Sequence, residues 1–168
     1  MAAQPKQFSY EYARIFQDAS VVAAYPHRAP YPDETFAILA ELIDKRASPC
    51  HILDAGCGTG QMPYGADPKI NWITGGIETV ALHPPYALIV AAASLHWMPW
   101  DVTLPRFARA VSPNGYLAII ENSGSPNAWD AAITPIIATY SMNRDFQPYS
   151  MATIAQELQA RGLFRQVG

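Results

Sequence analysis

Charge is scarce in this sequence. Asp, Glu, Lys and Arg make up 15% of 168 residues, and the formal net charge is −3. With no clustered Lys and Arg there is no electrostatic footprint for nucleic acid. Cysteine is also scarce: Cys50 and Cys57 alone form neither a disulfide framework nor a paired-cysteine zinc pattern. His27, His51 and His83 lack metal-ligand spacing, so no metal is expected. No uninterrupted apolar run is long enough to cross a bilayer. Met1 to Tyr10 carries Gln, Lys and Ser and no apolar signal core. The expectation is therefore a soluble cytoplasmic protein with neither nucleic acid nor a membrane as partner. Internal repeats and low-complexity segments are absent too.

What is present is apolar material. Half of the residues are hydrophobic, enough for one real core and too little for two well-formed ones. One partial domain over 1–168 is expected, with N-terminal helices and a loop over 1–46 and an α/β core over 47–168. Residues 8–18 read as a short amphipathic helix, with Phe8, Tyr12, Ile15 and Phe16 near helical spacing. Residues 21–32 hold three prolines, Pro26, Pro30 and Pro32, and predict an ordered loop. Asp33 is an N-cap candidate for a helix over Glu34 to Arg46.

Apolar strand-like runs follow at His51 to Ala55, Ile70 to Ile73, Tyr86 to Ala92 and Tyr116 to Glu121. Asp101 is expected to cap a helix reaching Val111, with Pro105 tolerated in its first turn. Ser112 to Gly115 is a turn. Helical stretches close the chain at about 128–141 and 150–161, Gly162 serving as the C′ residue, and Leu163-Phe164 opens one more strand. Strands alternating with helices predict an α/β class with a mainly parallel, Rossmann-like sheet.

The chemistry concentrates in Ile52 to Gln61, ILDAGCGTGQ. Gly56 and Gly58 permit positive φ and let backbone N–H groups approach a ligand. Asp54 places a carboxylate at the carboxyl edge of the sheet, where α/β folds bind ligands. That carboxylate suits a cationic or hydroxyl partner and repels phosphate. The spacing is G-x-G-x-G, not the G-x-G-x-x-G of a dinucleotide site, and no Lys stands in the P-loop position.

This string resembles motif I of class I S-adenosylmethionine-dependent methyltransferases. Tyr25-Pro-His-Arg28-Ala-Pro30-Tyr31-Pro32 resembles the Y-x-x-R-P-x-Y-P segment of the small-molecule enzymes in the trans-aconitate and ubiquinone-type group. Gly75 to Glu78 resembles their G-x-A-E element, and Ala87 to Trp97 their fourth strand with its A-x-H-W ending. Ser112 to Leu117 is similar to the turn before their fifth strand.

The resemblance implies methyl transfer from S-adenosylmethionine to a small-molecule acceptor, with the oligomeric state open between monomer and homodimer. It implies Gly56, Cys57 and Gly58 bordering the cofactor's methionine part and ribose, and Asp54 reaching its amino group. Tyr25 and Arg28 face the methionine moiety, Arg28 pairing with the carboxylate, to which its planar fork is matched. Ile77 and Glu78 border the adenine, and Ala92 the methionine end. His96 overlooks the methyl group and is the candidate base where the acceptor must lose a proton.

Plainer readings stand beside these. The glycines can be a structural turn, Arg28 a surface residue, Glu78 a solvated charge, and Cys57 a small residue rather than a reactive thiol. His96 can be a packing histidine beside Trp97. Trp97 and Trp100 can be core, and nothing forces Tyr140, Arg144 or Tyr149 towards a substrate.

The chain departs from the family between motif I and Ile70. Nine residues, 61–69, are fewer than the ~10–12 of a parallel crossover with its helix. The second strand, with the acidic residue for the ribose hydroxyls, therefore has no place, and neither has the closing antiparallel hairpin. The expectation is that 168 residues are a portion of a longer fold. Two alternatives follow: a non-catalytic or degenerate binding protein of the same fold, and a nicotinamide-dependent oxidoreductase, against which the glycine spacing weighs.

Overall fold

The structure is a computed structural model that describes residues 13–43, 50–60, 69–121, 128–140 and 151–167. Over the described residues the chain is α/β: three parallel strands with helices on both faces. Strand β1 (Ile52–Asp54) pairs with β2 (Tyr86–Ala92), which pairs with β3 (Val111–Ile120), in the order β1-β2-β3.

The apolar run of β2 explains its place. A strand in the middle of a parallel sheet is covered on both faces and needs no polar alternation. Tyr86 to Ala91 are all buried, at 0–5% exposure. Side chains still alternate in direction, which sorts them into two cores. Ile89 and Ala91 join Leu104 and Phe107 of α3 (Trp100–Ala110) and Ile154 of α5 (Met151–Ala160). Leu88 and Val90 join Leu39 and Phe36 of α2 (Asp33–Leu42), together with Tyr31.

Several expectations shift in detail. Residues 19–24 form a helix, α1 (Ala19–Ala24), which takes the first four residues of the loop expected over 21–32. Asp18 caps it by accepting from the Ser20 amide at 2.8 Å, the device that satisfies an orphan N–H at a helix start. The hydrogen bonds from Ser20 hold the Asp18 carboxyl below its usual range. A 3-10 turn over Arg14–Gln17 precedes α1, and another over Tyr25–His27 follows it. The remainder of the expected 8–18 helix lies mostly outside the described residues.

Asp33 is the first residue of α2 and Pro32 its cap; Asp101 likewise lies inside α3, behind Pro99. Pro105 therefore falls in the second turn of α3, where it removes the N–H that would reach the Asp101 carbonyl. β3 begins at Val111, and the Ser112 to Gly115 turn is a bulge within it. Tyr86 pairs with Val111 but Leu88 with Tyr116, so the extra residues loop outward.

Ile70 to Ile73 is not a strand. Trp72 lies against Gly60, where an added Cβ would sit 2.7 Å from the indole ring. The segment thus covers the end of the glycine turn and pairs with no ladder. Leu163-Phe164 is also irregular, with Phe164 packed against the first core. Gly162 has φ +65°, as expected of a C′ residue. Helix α4 (Asp130–Tyr140) is exposed along its whole length. Among the described residues no helix is long and apolar enough to cross a membrane. The stretch 61–69 and the crossover question lie almost wholly outside the described residues.

Candidate functional site

Parallel strands that end together leave their last backbone groups and the following loops at one edge, where α/β sheets bind ligands. β1 ends there in Asp54 and turns through Ala55 to Gly60, and β2 ends there in Ala92 and Ala93. A shallow cleft, about 420 Å³ with the open solvent at its mouth included, lies between these two strand ends.

One wall is the glycine turn. Ala55 is buried, and its N–H donates to the Val90 carbonyl at 2.8 Å. Its carbonyl accepts from Ser94 Oγ at 2.7 Å. The turn is thus clamped to the loop after β2. Gly56 has φ +75°, and a Cβ there would lie 2.7 Å from Ser94 Cβ. Both the conformation and the space therefore demand glycine.

The opposite wall comes from the proline-rich segment. Tyr25, Arg28 and Tyr31 line the cleft. The Arg28 N–H donates to the Tyr25 carbonyl at 3.0 Å, and the guanidinium lies over the Tyr25 ring, 5.1 Å from its centroid, a cation–π contact. Pro26 and Pro30 restrict the chain between these side chains, and Pro32 restricts it just after Tyr31.

Of the residues expected at the site, Tyr25, Arg28, Asp54, Gly56, Cys57, Gly58 and Ala92 come together in this cleft. Ile77, Glu78 and His96 do not line it. Ile77 packs against the first core. The Glu78 carboxylate sits over Gly76, in the space a Cβ would fill.

His96 is 7% exposed. It lies in the 3-10 turn Leu95–Trp97 that follows β2. Its Nδ1 is 2.9 Å from Glu121 Oε1, both side chains being about nine-tenths buried. The ring tilts against Trp97, centroids 5.0 Å apart, and Trp97 meets Phe16 edge-on at 5.3 Å. Trp100 is core, its indole N–H donating to the Leu95 carbonyl at 2.8 Å. Tyr140 is exposed, and Arg144 and Tyr149 lie outside the described residues.

Sequence reasoning passed over two cleft residues, Tyr31 and Ala93, and over Glu121, the partner of His96. Tyr31 lines the cleft with its ring side packed into the second core. Burial raises its phenol above the usual tyrosine range; the Arg28 cation opposes this, while the charges of Asp54 and Glu121 add to it. Tyr31 is therefore a neutral hydrogen-bond donor at ordinary pH. Its place in the Y-x-x-R-P-x-Y-P segment is the signal that could have marked it. Ala93 has φ +47°, a left-handed conformation uncommon outside glycine and concentrated at functional sites; no sequence signal marks it. Glu121 closes an apolar strand, and only its partner His96 reveals it.

Cys57 is a half-buried free thiol in the cleft wall. Burial raises it above the ordinary thiol range, and the Asp54 carboxylate raises it further. Nucleophilic attack needs the thiolate, so the cleft suppresses Cys57 reactivity. Among the described residues no three His, Cys, Asp or Glu side chains group as a metal site.

The cleft therefore offers a guanidinium from one wall, a carboxylate from the other, a phenol donor, and exposed backbone at the glycine turn. That set fits a small zwitterion better than a phosphate. Comparison with protein-family models, curated proteins and solved structures returns no match.

Proposed function

We propose that the chain is an S-adenosylmethionine-dependent methyltransferase acting on a small molecule, in a cytoplasmic setting. The observation that carries this reading is that Arg28 and Asp54 line one cleft. An α-amino acid head presents a carboxylate and an ammonium group a few ångströms apart. Arg28 takes the first through its planar fork, and Asp54 takes the second.

Strand order supports the same reading. In the doubly wound order 3-2-1-4-5-6, the first strand lies beside the fourth and the fourth beside the fifth. β1, β2 and β3 have that adjacency if they are numbered as the resemblance implies, first, fourth and fifth. The cleft then lies where the order reverses, the usual ligand position.

When bound, the cofactor supplies a methyl group activated by its sulfonium. The chain's own residues then have little covalent work. Arg28, Asp54 and Tyr31 fix one end of the donor, and the clamped glycine turn sets how closely it approaches the sheet. Proximity and alignment supply most of the rate in such a displacement. Isothermal titration with S-adenosylhomocysteine tests the reading: we expect a one-site heat that Arg28→Ala weakens about tenfold or more, and no heat would refute it.

A second reading, a non-catalytic binder of the same ligand, draws on β1. Among the described residues it is a sheet edge and Asp54 is the one acidic side chain lining the cleft. Binding without turnover on any acceptor would favour it. A nicotinamide dinucleotide is disfavoured because Asp54 stands where its phosphates would approach.

A further inference from the structure

Helix α4 is apolar in composition, yet every one of its residues is exposed. A helix that is apolar on nearly all sides belongs in a buried place. Its one charged side chain is Asp130, in the first turn, and its last turn holds no basic residue. Thr134 and Thr139 fold their hydroxyls back on the helix, donating to the Asp130 and Pro135 carbonyls at 2.7 and 2.8 Å. The outer surface of α4 is therefore mostly carbon.

The large side chains lie on one stripe. The Trp129 carbonyl accepts from the Ile133 N–H at 2.9 Å, so Trp129 keeps the helical frame. Trp129, Ile133, Ile136, Ile137 and Tyr140 then fall within about 100° of the helix surface. Ala131 and Ala138 stand on the opposite side. Trp129 and Tyr140 are 70% and 79% exposed, and the three isoleucines 46%, 56% and 52%. The stripe thus offers on the order of 600 Å², at the top of what a monomer ordinarily leaves open in one patch.

We propose that this stripe is the contact face of a symmetric dimer, its occupant being α4 of a second copy of this chain. The order of residues about the helix centre carries the choice. Consider an antiparallel pair whose two-fold axis lies midway between the levels of Thr134 and Pro135. Trp129 of one copy then faces Tyr140 of the other, and Ile133 faces Ile136. At the same setting Ile137 meets the small Ala132. A two-fold contact requires such self-complementarity, and antiparallel helices also oppose their dipoles. Two copies together bury about 1,200 Å², the lower bound of specific interfaces. Other occupants match the face less well. An anionic membrane or an acidic partner calls for Lys or Arg, which α4 lacks, and a basic partner meets Asp130 alone. The proposal does not depend on the methyltransferase reading.

Sedimentation velocity on the full chain tests this. The wild type is expected to pass from 18.4 kDa to twice that mass as concentration rises. A Kd of about 1–100 μM suits an interface of this size. Ile133→Asp and Ile136→Lys, both at exposed positions, should each weaken dimerisation about 100-fold or more and leave the urea midpoint of the monomer unchanged. Ala131→Lys, on the opposite side of the helix, should leave the dimer intact. An equimolar mixture of the Ile133→Asp and Ile136→Lys chains should regain dimer, because the new carboxylate of one copy then faces the new ammonium of the other. A wild type that stays monomeric at about 200 μM, a dimer that Ile136→Lys leaves intact, or a mixture of the two variants that stays monomeric would each overturn the proposal. A monomer whose urea midpoint falls in Ile136→Lys would assign the stripe to the chain's own residues. A monomer that binds phosphatidylcholine vesicles would assign it to lipid, and either result contradicts the dimer.

Discussion

The two strands that form the cleft are built differently. β2 is seven residues long, lies between two neighbours and is buried on both faces. β1 is three residues long, pairs on one side among the described residues, and leaves Ile52 47% exposed. A site usually needs both of its walls fixed to a fraction of an ångström. Here the weaker wall borrows its position from the stronger one. The Ala55 N–H bond to Val90 and the Ser94 bond to Ala55 tie the glycine turn to β2 and its following loop. The proline-rich wall gains its hold through Tyr31, which packs with Leu88 and Val90 on the second face of β2. Both walls thus refer to one central strand.

This contrast can be broken in order of expected effect. Phe107 is fully buried in the core behind β2, and Phe107→Ala should cost about 3–5 kcal/mol of unfolding free energy in a urea titration. Gly56→Ala meets Ser94 and a left-handed backbone together. It should cost about 2 kcal/mol and lower S-adenosylhomocysteine affinity more than Phe107→Ala does under conditions where both remain folded. Ile52→Ala on the free side of β1 should cost about 1 kcal/mol or less. An Ile52 effect as large as that of Phe107 would mean that β1 is covered and that the two strands are alike.

How much of this was readable beforehand follows the same division. Tyr86 to Ala92 is legible to the residue because a fully buried strand is simply an apolar run closed by turn signals, with Pro84-Pro85 before it. The glycine turn is legible because φ and close approach leave no substitute at Gly56. Residues 21–24 depart from the expected loop because the prolines that follow them colour the whole window, while the deciding group is the Asp18 cap at the start of the helix. Ile70 to Ile73 has a strand's composition, but pairing is a tertiary property, and Trp72 finds the glycine turn instead. Tyr31 and Glu121 share one difficulty. Each sits in a stretch whose composition has another explanation, and each acquires meaning only from residues distant in the chain. His96 shows the reverse: its motif placed it over the reacting group, and the structure sets it beside the cleft, against Glu121.

The central claim is that the cleft recognises an amino-acid head between Arg28 and Asp54. Its most direct test compares S-adenosylhomocysteine with 5′-methylthioadenosine, which keeps the thioether nucleoside and lacks that head, by calorimetry on the full chain. We predict that S-adenosylhomocysteine binds about 100-fold tighter, the worth of two charge-assisted contacts at about 1.4 kcal/mol each, and that Arg28→Ala removes about half of that advantage on the free-energy scale. Equal affinity for the two ligands would contradict the account.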